Sequence, residues 1–312
     1  MNPHMNLANH TSPVLSGEVH NGTPSWIGTF QAMASDCQIL IEGATKQHAH
    51  NLLTLATKEA WRIEQKYSRY RDDNIMTKIN TPNGCDLEVD FETSALLNFA
   101  EQCYQLSDGL YDITIGTLRR VWNFDGSDQV PTSLQVQEVL QDVGWQRIQW
   151  ASPRLILPQN MELDFGGFGK EYAVDKVTQI LKMACRGLGE ISLLVNFGGD
   201  LACSGPRLNG QAWKIAVESS KKEHAVAAYV QLSQGAIATS GDARRYLLKD
   251  NIRYSHILNP KTGQSVIDAP RAVSVAGSSC MQAGMISTLA LLQGKNAESF
   301  LKAQDIQHWI QD

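Results

Sequence analysis

The sequence predicts an α+β protein, a mixed and mainly antiparallel sheet with helices packed on it. Three observations point there. Strand-like and helix-like segments alternate along the chain, as in α/β or α+β folds. Residues 191–277 are strand-rich, which favours antiparallel pairing. Apolar residues recur at three-to-four spacing in stretches before and after it.

The elements follow in order. Residues 28–42 read as one strand ending at Glu42-Gly43. A long amphipathic helix covers about 46–67, with Leu52, Leu53, Ala56, Ala60, Ile63 and Tyr67 on one stripe. A second covers 92–106 and ends at Ser107-Asp108-Gly109. A third covers 132–143. Thr132 and Gln135 form its capping-box signature, and Gly144 follows its end. Residues 147–150 and 154–157 flank Ser152-Pro153 as a hairpin. Residues 170–185 form a helix with Ala173, Val174, Val177, Ile180 and Leu181 inward. Strands are expected at 191–196, 213–217, 225–232, 236–239, 253–258 and 272–277, then helices near 279–292 and 295–303.

A chain of 312 residues, 43% hydrophobic and 19% charged, can build its core without a disulfide or metal staple. The formal net charge is −5 and no basic run exceeds a pair, so neither nucleic acid nor an anionic membrane is an expected partner. Six cysteines show no C-x-x-C pair, which argues against structural zinc and for a reducing compartment. Residues 1–22 carry no apolar run with basic flanks and no cysteine. They read as a disordered lead-in without signal peptide or membrane anchor, with His4, His10 and His20 as solvated tail residues. Residues 23–312 then form one domain, and the expected location is the cytoplasm.

Four glycine-rich or polar loops sit between apolar strands: Leu163-Asp164-Phe165-Gly166-Gly167-Phe168-Gly169-Lys170, Asn196-Phe197-Gly198-Gly199-Asp200, Thr239-Ser240-Gly241-Asp242 and Tyr254-Ser255-His256-Ile257-Leu258-Asn259-Pro260. Each Gly-Gly also suits a plain tight turn. Four loops tipped with Asp, Ser, His and Lys point instead to a site. The first runs from strand through glycines into helix. Such a helix start turns free N–H groups toward an anion, and Lys170 adds a cation, so a pyrophosphate would suit it. The spacing of Gly166, Gly167 and Gly169 is not the dinucleotide fingerprint, which disfavours an NAD oxidoreductase.

Seven segments, taken in order, resemble the ApbE family of FAD:protein FMN transferases. They are Ile27-Gly28-Thr29-Phe30, Tyr67-Ser68-Arg69-Tyr70-Arg71, Gly109-Leu110-Tyr111-Asp112-Ile113-Thr114-Ile115-Gly116, the 163–170 loop running on to Asp175, 195–200, 238–242 and 254–263. The resemblance spans Ile27 to about Gly294. It implies an ApbE-like, T-fold-like architecture with an FAD cleft between lobes. It implies that Tyr70 stacks on the isoalloxazine ring, that Ile27 stands where methionine is usual, and that Leu110, Tyr111, Asp112, Asp164, Lys170 and Leu258 contact FAD. His256 matches a histidine close to the pyrophosphate, a general acid/base or a phosphate donor, or else a structural residue holding the turn before Pro260. The implied reaction is transfer of FMN from FAD to a Ser or Thr hydroxyl of an acceptor flavoprotein carrying a flavinylation motif, with release of AMP.

The resemblance also implies Mg²⁺, held by a glycine-loop carbonyl and by Asp and Thr of an Ala-Asp-x-x-x-Thr signature. Here that signature reads Ala283-Gly284-Met285-Ile286-Ser287-Thr288. Gly167 holds the carbonyl position, Thr288 is present and Ser287 offers a neutral oxygen, but Gly284 replaces the carboxylate. Glu171 stands where glycine is usual and could bring a carboxylate back. A large gain of transfer in Gly284→Asp would show that metal affinity limits the enzyme. Two other activities compete. One is a non-catalytic FAD-binding protein that has lost transfer through Gly284. The other is a slow FAD pyrophosphatase whose nucleophile is water.

Overall fold

A computed structural model of the chain describes residues 11–20, 22–219, 225–242 and 245–312. They divide into two compact units. The first holds the residues up to Arg71 with Phe168–Thr239 and Ser274–Gly284, and the second holds Asp72–Gly167, Ser240–Val273 and Met285–Asp312.

In the first unit most of the large sheet runs in the spatial order Val14–His20, Thr23–Ala32, Ser35–Glu42, Ser192–Phe197, Asp200–Cys203, Ala236–Gly241 and Ala272–Gly277. Its neighbours pair antiparallel from Val14–His20 as far as Ala236–Gly241. The helices Lys46–Tyr67 and Gly169–Ala184 pack on it and on each other. The expected stripes face inward: Leu52, Leu53, Ala56, Ala60 and Ile63 are buried, as are Ala173, Val174, Val177 and Leu181. Gly28 lets the long helix sit close, since a Cβ there would lie 2.6 Å from Leu53 Cδ1. Phe30 meets Phe197 edge to face at 5.6 Å. The pair Trp213–Glu218 and Val226–Leu232 forms a separate antiparallel ribbon.

Two expectations for this region change. The stretch 28–42 is not one strand but a hairpin turning at Met33-Ala34, both at positive φ (53° and 56°). Neither residue carries a turn signal. The Met33 N–H instead donates to Glu64 Oε1 of the long helix at 2.9 Å. The expected disordered lead-in over 1–22 also changes within the described residues. Val14–His20 is a strand in register with Thr23–Ala32, because its backbone finds ladder partners that composition cannot show. Residues 1–10 and 21, with His4 and His10, lie outside the described residues.

The second unit has helices at Ile75–Ile79, Phe91–Leu106, Ser133–Leu140 and Ala297–Ala303, a 3₁₀ run at Ile113–Arg120, and all of Cys280–Leu292 from Met285 onward. The Thr132–Gln135 capping box forms as expected, but the helix it opens ends at Leu140. Asp142 and Val143 donate back to Val139 and Leu140 in tighter turns before Gly144. The 149–157 hairpin gains a third strand, Cys85–Glu88. Tyr246–Lys249 and Ile252–Ser255 form a hairpin where one strand over 253–258 was expected. One core gathers Leu118, Trp122, Val136, Val143 and Leu247.

Candidate active site

The expected site residues divide between the two units. In the first, the Gly198-Gly199 turn joins Ser192–Phe197 to Asp200–Cys203 with both glycines at positive φ (59° and 96°). A Cβ on Gly198 would meet Ser35 Oγ at 2.7 Å, so only glycine passes there without a shift. The turn places Asp200 at the head of its strand, 1% exposed. Asp200 Oδ1 accepts the Thr239 N–H at 3.0 Å and Oδ2 meets Lys170 Nζ at 2.7 Å. Burial works against the Lys170 charge, but the Asp200 and Glu171 carboxylates outweigh it and hold its pKa above the ordinary lysine value.

Lys170 stands in the first turn of the helix Gly169–Ala184, whose start at Phe168 has no side-chain cap. The Phe168 side chain has no group that could accept from the first N–H groups of the helix, and a helix start of this kind suits an anion. Next to Lys170, Glu171 is buried, and its Oε2 has no hydrogen-bond partner. Burial first, then the nearby Asp200 charge, pushes its pKa up to about 8. Gly284 faces it: a Cβ there would lie 2.8 Å from both Cγ and Oε1 of Glu171. One turn on, Asp175 accepts the Cys280 and Met281 N–H groups at 2.8 and 3.0 Å and so caps the helix Cys280–Leu292.

Two aromatic or apolar contacts expected for flavin also lie in this unit. Tyr70 is 52% exposed. Arg69 donates to its hydroxyl at 2.8 Å, with the guanidinium 4.9 Å from the ring centroid. Ile27 is exposed on the strand Thr23–Ala32.

In the second unit, two segments 50 residues apart in sequence are tied together. Asp164 N–H donates to the Ile113 carbonyl at 2.8 Å, and the Tyr111 hydroxyl donates to the Gly167 carbonyl at 2.8 Å. Gly116 permits the approach, because a Cβ on it would lie 3.1 Å from Asp164 Cβ. Asp164 Oδ1 accepts the Gly166 N–H at 2.8 Å while Oδ2 faces Arg119 at 3.4 Å. The 163–167 loop is thus clamped at Gly166 and Gly167, both exposed. Leu110 sits half-buried beside Tyr111.

Asp112 is engaged inside the fold. It caps the 3₁₀ run, accepting from Thr114 N and Oγ1 at 2.8 and 2.7 Å and from Trp145 N at 2.9 Å. Burial raises its pKa, the Thr114 bonds partly offsetting this.

Ser240 Oγ lies 2.7 Å from Ser287 Oγ and 3.0 Å from Thr288 Oγ1, gathering three neutral oxygens. His256 packs edge-on to Phe124 with ring centroids 6.3 Å apart, its Nδ1 3.2 Å from the Arg245 carbonyl. Leu258 packs against the Trp122 core. Asp242 is bracketed by Arg253 Nε at 2.8 Å and Arg271 Nε at 2.6 Å.

The structure thus joins Tyr111 to Gly167, Asp164 to Gly166, and Ser287 to Thr288 through Ser240. Three partners escaped the sequence reading: Arg119, Ser240 as a hydroxyl hub, and Asp200 as the counter-charge of Lys170. The last two sit in recognised loops, but nothing local ties them to residues 30–48 positions away. Among the described residues no three His, Cys, Asp or Glu side chains group so as to hold a metal ion. No helix among them is long and apolar enough to cross a membrane.

A model of the ApbE family matches residues 33–310. The chain is 28% identical over 240 residues to the FAD:protein FMN transferase of Vibrio cholerae serotype O1, covering 75% of this chain and 70% of that protein. It is 27% identical over 270 residues to the FAD:protein FMN transferase of Haemophilus influenzae, covering 81% and 75%. Its fold matches the crystal structure of the ApbE protein from Thermotoga maritima MSB8 with a TM-score of 0.82 and 27% identity, covering 92% of this chain and 94% of that one.

Proposed function

The chain belongs to the ApbE family, and from that premise we propose that it is an FAD:protein FMN transferase acting on a Ser or Thr hydroxyl of an acceptor flavoprotein. The observation that carries the reading is the uncapped start of the helix Gly169–Ala184 with Lys170 in its first turn, following a glycine loop clamped by Asp164 and Tyr111. That arrangement suits a diphosphate.

In the reaction the acceptor oxygen bonds to the phosphorus attached to riboflavin, the P–O bond to AMP breaks, and AMP leaves. Such displacements depend on positioning and charge neutralisation more than on covalent enzyme chemistry. In this chain Lys170 and the leading N–H groups of its helix hold phosphate oxygens. Tyr70 offers a ring face to the isoalloxazine, and Ile27, Leu110, Asp164 and Leu258 complete the cofactor contacts. His256, whose Nδ1 lies 3.2 Å from the Arg245 carbonyl, is suited to taking the acceptor's hydroxyl proton or to binding phosphate. Asp112 acts by holding the turn that carries Tyr111.

Mg²⁺ would be held by the Gly167 carbonyl and the Ser287 and Thr288 hydroxyls, and when bound it would neutralise charge on the diphosphate. The donors fit a hard cation: they are oxygens, and a buried carboxylate oxygen on Glu171 has no partner. We place the chain in the cytoplasm, on the strength of six free cysteines.

The test is incubation with FAD, Mg²⁺ and an acceptor bearing an Asp-x-x-Thr/Ser-Gly-Ala-Thr-type segment, read as flavin fluorescence of the acceptor on a denaturing gel. Labelled acceptor with AMP released in equal amount is the expected result. AMP without any acceptor would make the protein a pyrophosphatase, and bound FAD with neither product would make it a carrier.

A further inference from the structure

The volume beside Gly284 is filled by the side chain of Glu171. Its Cγ and Oε1 stand 2.8 Å, and its Cδ 3.1 Å, from where a Cβ on residue 284 would be. A glutamate on one helix therefore delivers its carboxylate to the place where a side chain on the other helix would begin. That carboxylate is buried, and Oε2 has no hydrogen-bond partner. Buried carboxylate oxygens are normally satisfied by donors or by a cation. Asp200 and Asp175 repel the carboxylate, its own backbone N–H and Lys170, itself engaged by Asp200 at 2.7 Å, offset this only in part, and Oε2 is left without a donor.

We infer that Glu171 is the carboxylate ligand of the divalent cation in this protein, entering from the helix Gly169–Ala184 the space that a side chain at position 284 would occupy. The inference rests on the transferase reading above and adds to it the source of the negative charge. It also accounts for a chain that has a long acidic residue at 171 and none at 284, since one volume holds only one of them. The loss-of-transfer reading drawn from Gly284 then loses its ground, because the carboxylate is relocated.

The test is Mn²⁺ uptake by the intact protein, followed as loss of the free-ion EPR signal, with and without FAD and with no acceptor. Glu171→Gln keeps the size and removes the charge, and is expected to weaken Mn²⁺ binding at least about tenfold. Glu171→Gly should do the same, and Glu171→Gly with Gly284→Asp should recover most of the affinity. Circular dichroism confirms that each variant is folded, and Glu171→Gln carries the test should the double variant not fold. A folded Glu171→Gln protein with wild-type Mn²⁺ affinity overturns the inference, as does wild-type protein that takes up no Mn²⁺ in either condition. The FAD-induced rise in melting temperature of the wild type is measured alongside. Its absence defeats the flavin reading itself, whereas a normal rise with unchanged Mn²⁺ binding in Glu171→Gln defeats only the inference.

Discussion

Glu171 and Gly284 are sterically exclusive: a Cβ on one lies 2.8 Å from the Cγ of the other. Gly284→Asp alone should therefore be destabilising. It crowds a buried methylene and sets two carboxylates together. The expected loss is about 1–3 kcal/mol by urea unfolding. Adding Glu171→Gly should return most of it, a coupling on the order of 1 kcal/mol or more between the two positions. Additive effects would show that the two side chains do not compete.

Lys170→Met removes the counter-charge of a nearly inaccessible Asp200. Breaking such a pair strands a charge, and with the lysine partly exposed the expected loss is about 2–3 kcal/mol. Asp200→Asn in the same protein should restore part of that stability without restoring FAD binding. Restored binding would remove Lys170 from the phosphate site.

Tyr111→Phe deletes the hydroxyl that holds the Gly167 carbonyl. The fold should lose about 1 kcal/mol, and FAD affinity should fall roughly fivefold as the loop loosens. Isothermal titration with FAD reads this directly. Unchanged affinity would mean that the loop keeps its form without the tyrosine.

Asp112→Asn should be destabilising by about 1–3 kcal/mol at neutral pH, since an amide NH₂ must face a backbone or hydroxyl donor. The pH dependence has a definite sign. The folded-state pKa of Asp112 lies above the ordinary 3.8, so its contribution is full below 3.8 and is lost as pH rises through the folded value. The stability gap between wild type and variant should therefore be widest in acid and narrow toward neutrality. A gap that widens with pH would contradict the burial of this carboxyl.

Burial pushes the thiols of Cys37 and Cys103 up to about 12 and raises those of Cys203 and Cys280 as well. All four are buried, while Cys85 and Cys185 are partly accessible. In native protein at pH 8 a disulfide reagent should titrate Cys85 and Cys185 only, the other four appearing on unfolding. Rapid reaction of Cys280 would mean that the region around Glu171 opens in solution.

The helices were largely legible because their apolar spacing is long and regular. Leu52, Leu53, Ala56, Ala60 and Ile63 all went inward as the period required. Short strands such as Asp200–Cys203, Tyr246–Lys249 and His308–Gln311 were not, since four residues carry too little pattern. The hairpin at Met33-Ala34 was hidden for another reason: its support comes from Glu64, about 30 positions downstream. The site divides in the same way. Glycine loops and their tips announce themselves locally, whereas the Lys170–Asp200 and Ser240–Ser287 partnerships are properties of the folded chain. Asp112 shows the converse, a residue whose motif suggests a ligand contact while its oxygens serve the backbone around it.

The Met33-Ala34 turn bears on the order of folding. Two side-chain-bearing residues in left-handed conformation disfavour the turn by roughly 1–2 kcal/mol each, so the isolated hairpin should be a poor nucleus. Its brace is Glu64, near the end of a 22-residue helix. During synthesis, then, the strands Thr23–Ala32 and Ser35–Glu42 must wait for that helix to emerge before their register is secured, and assembly of this edge proceeds against the direction of translation.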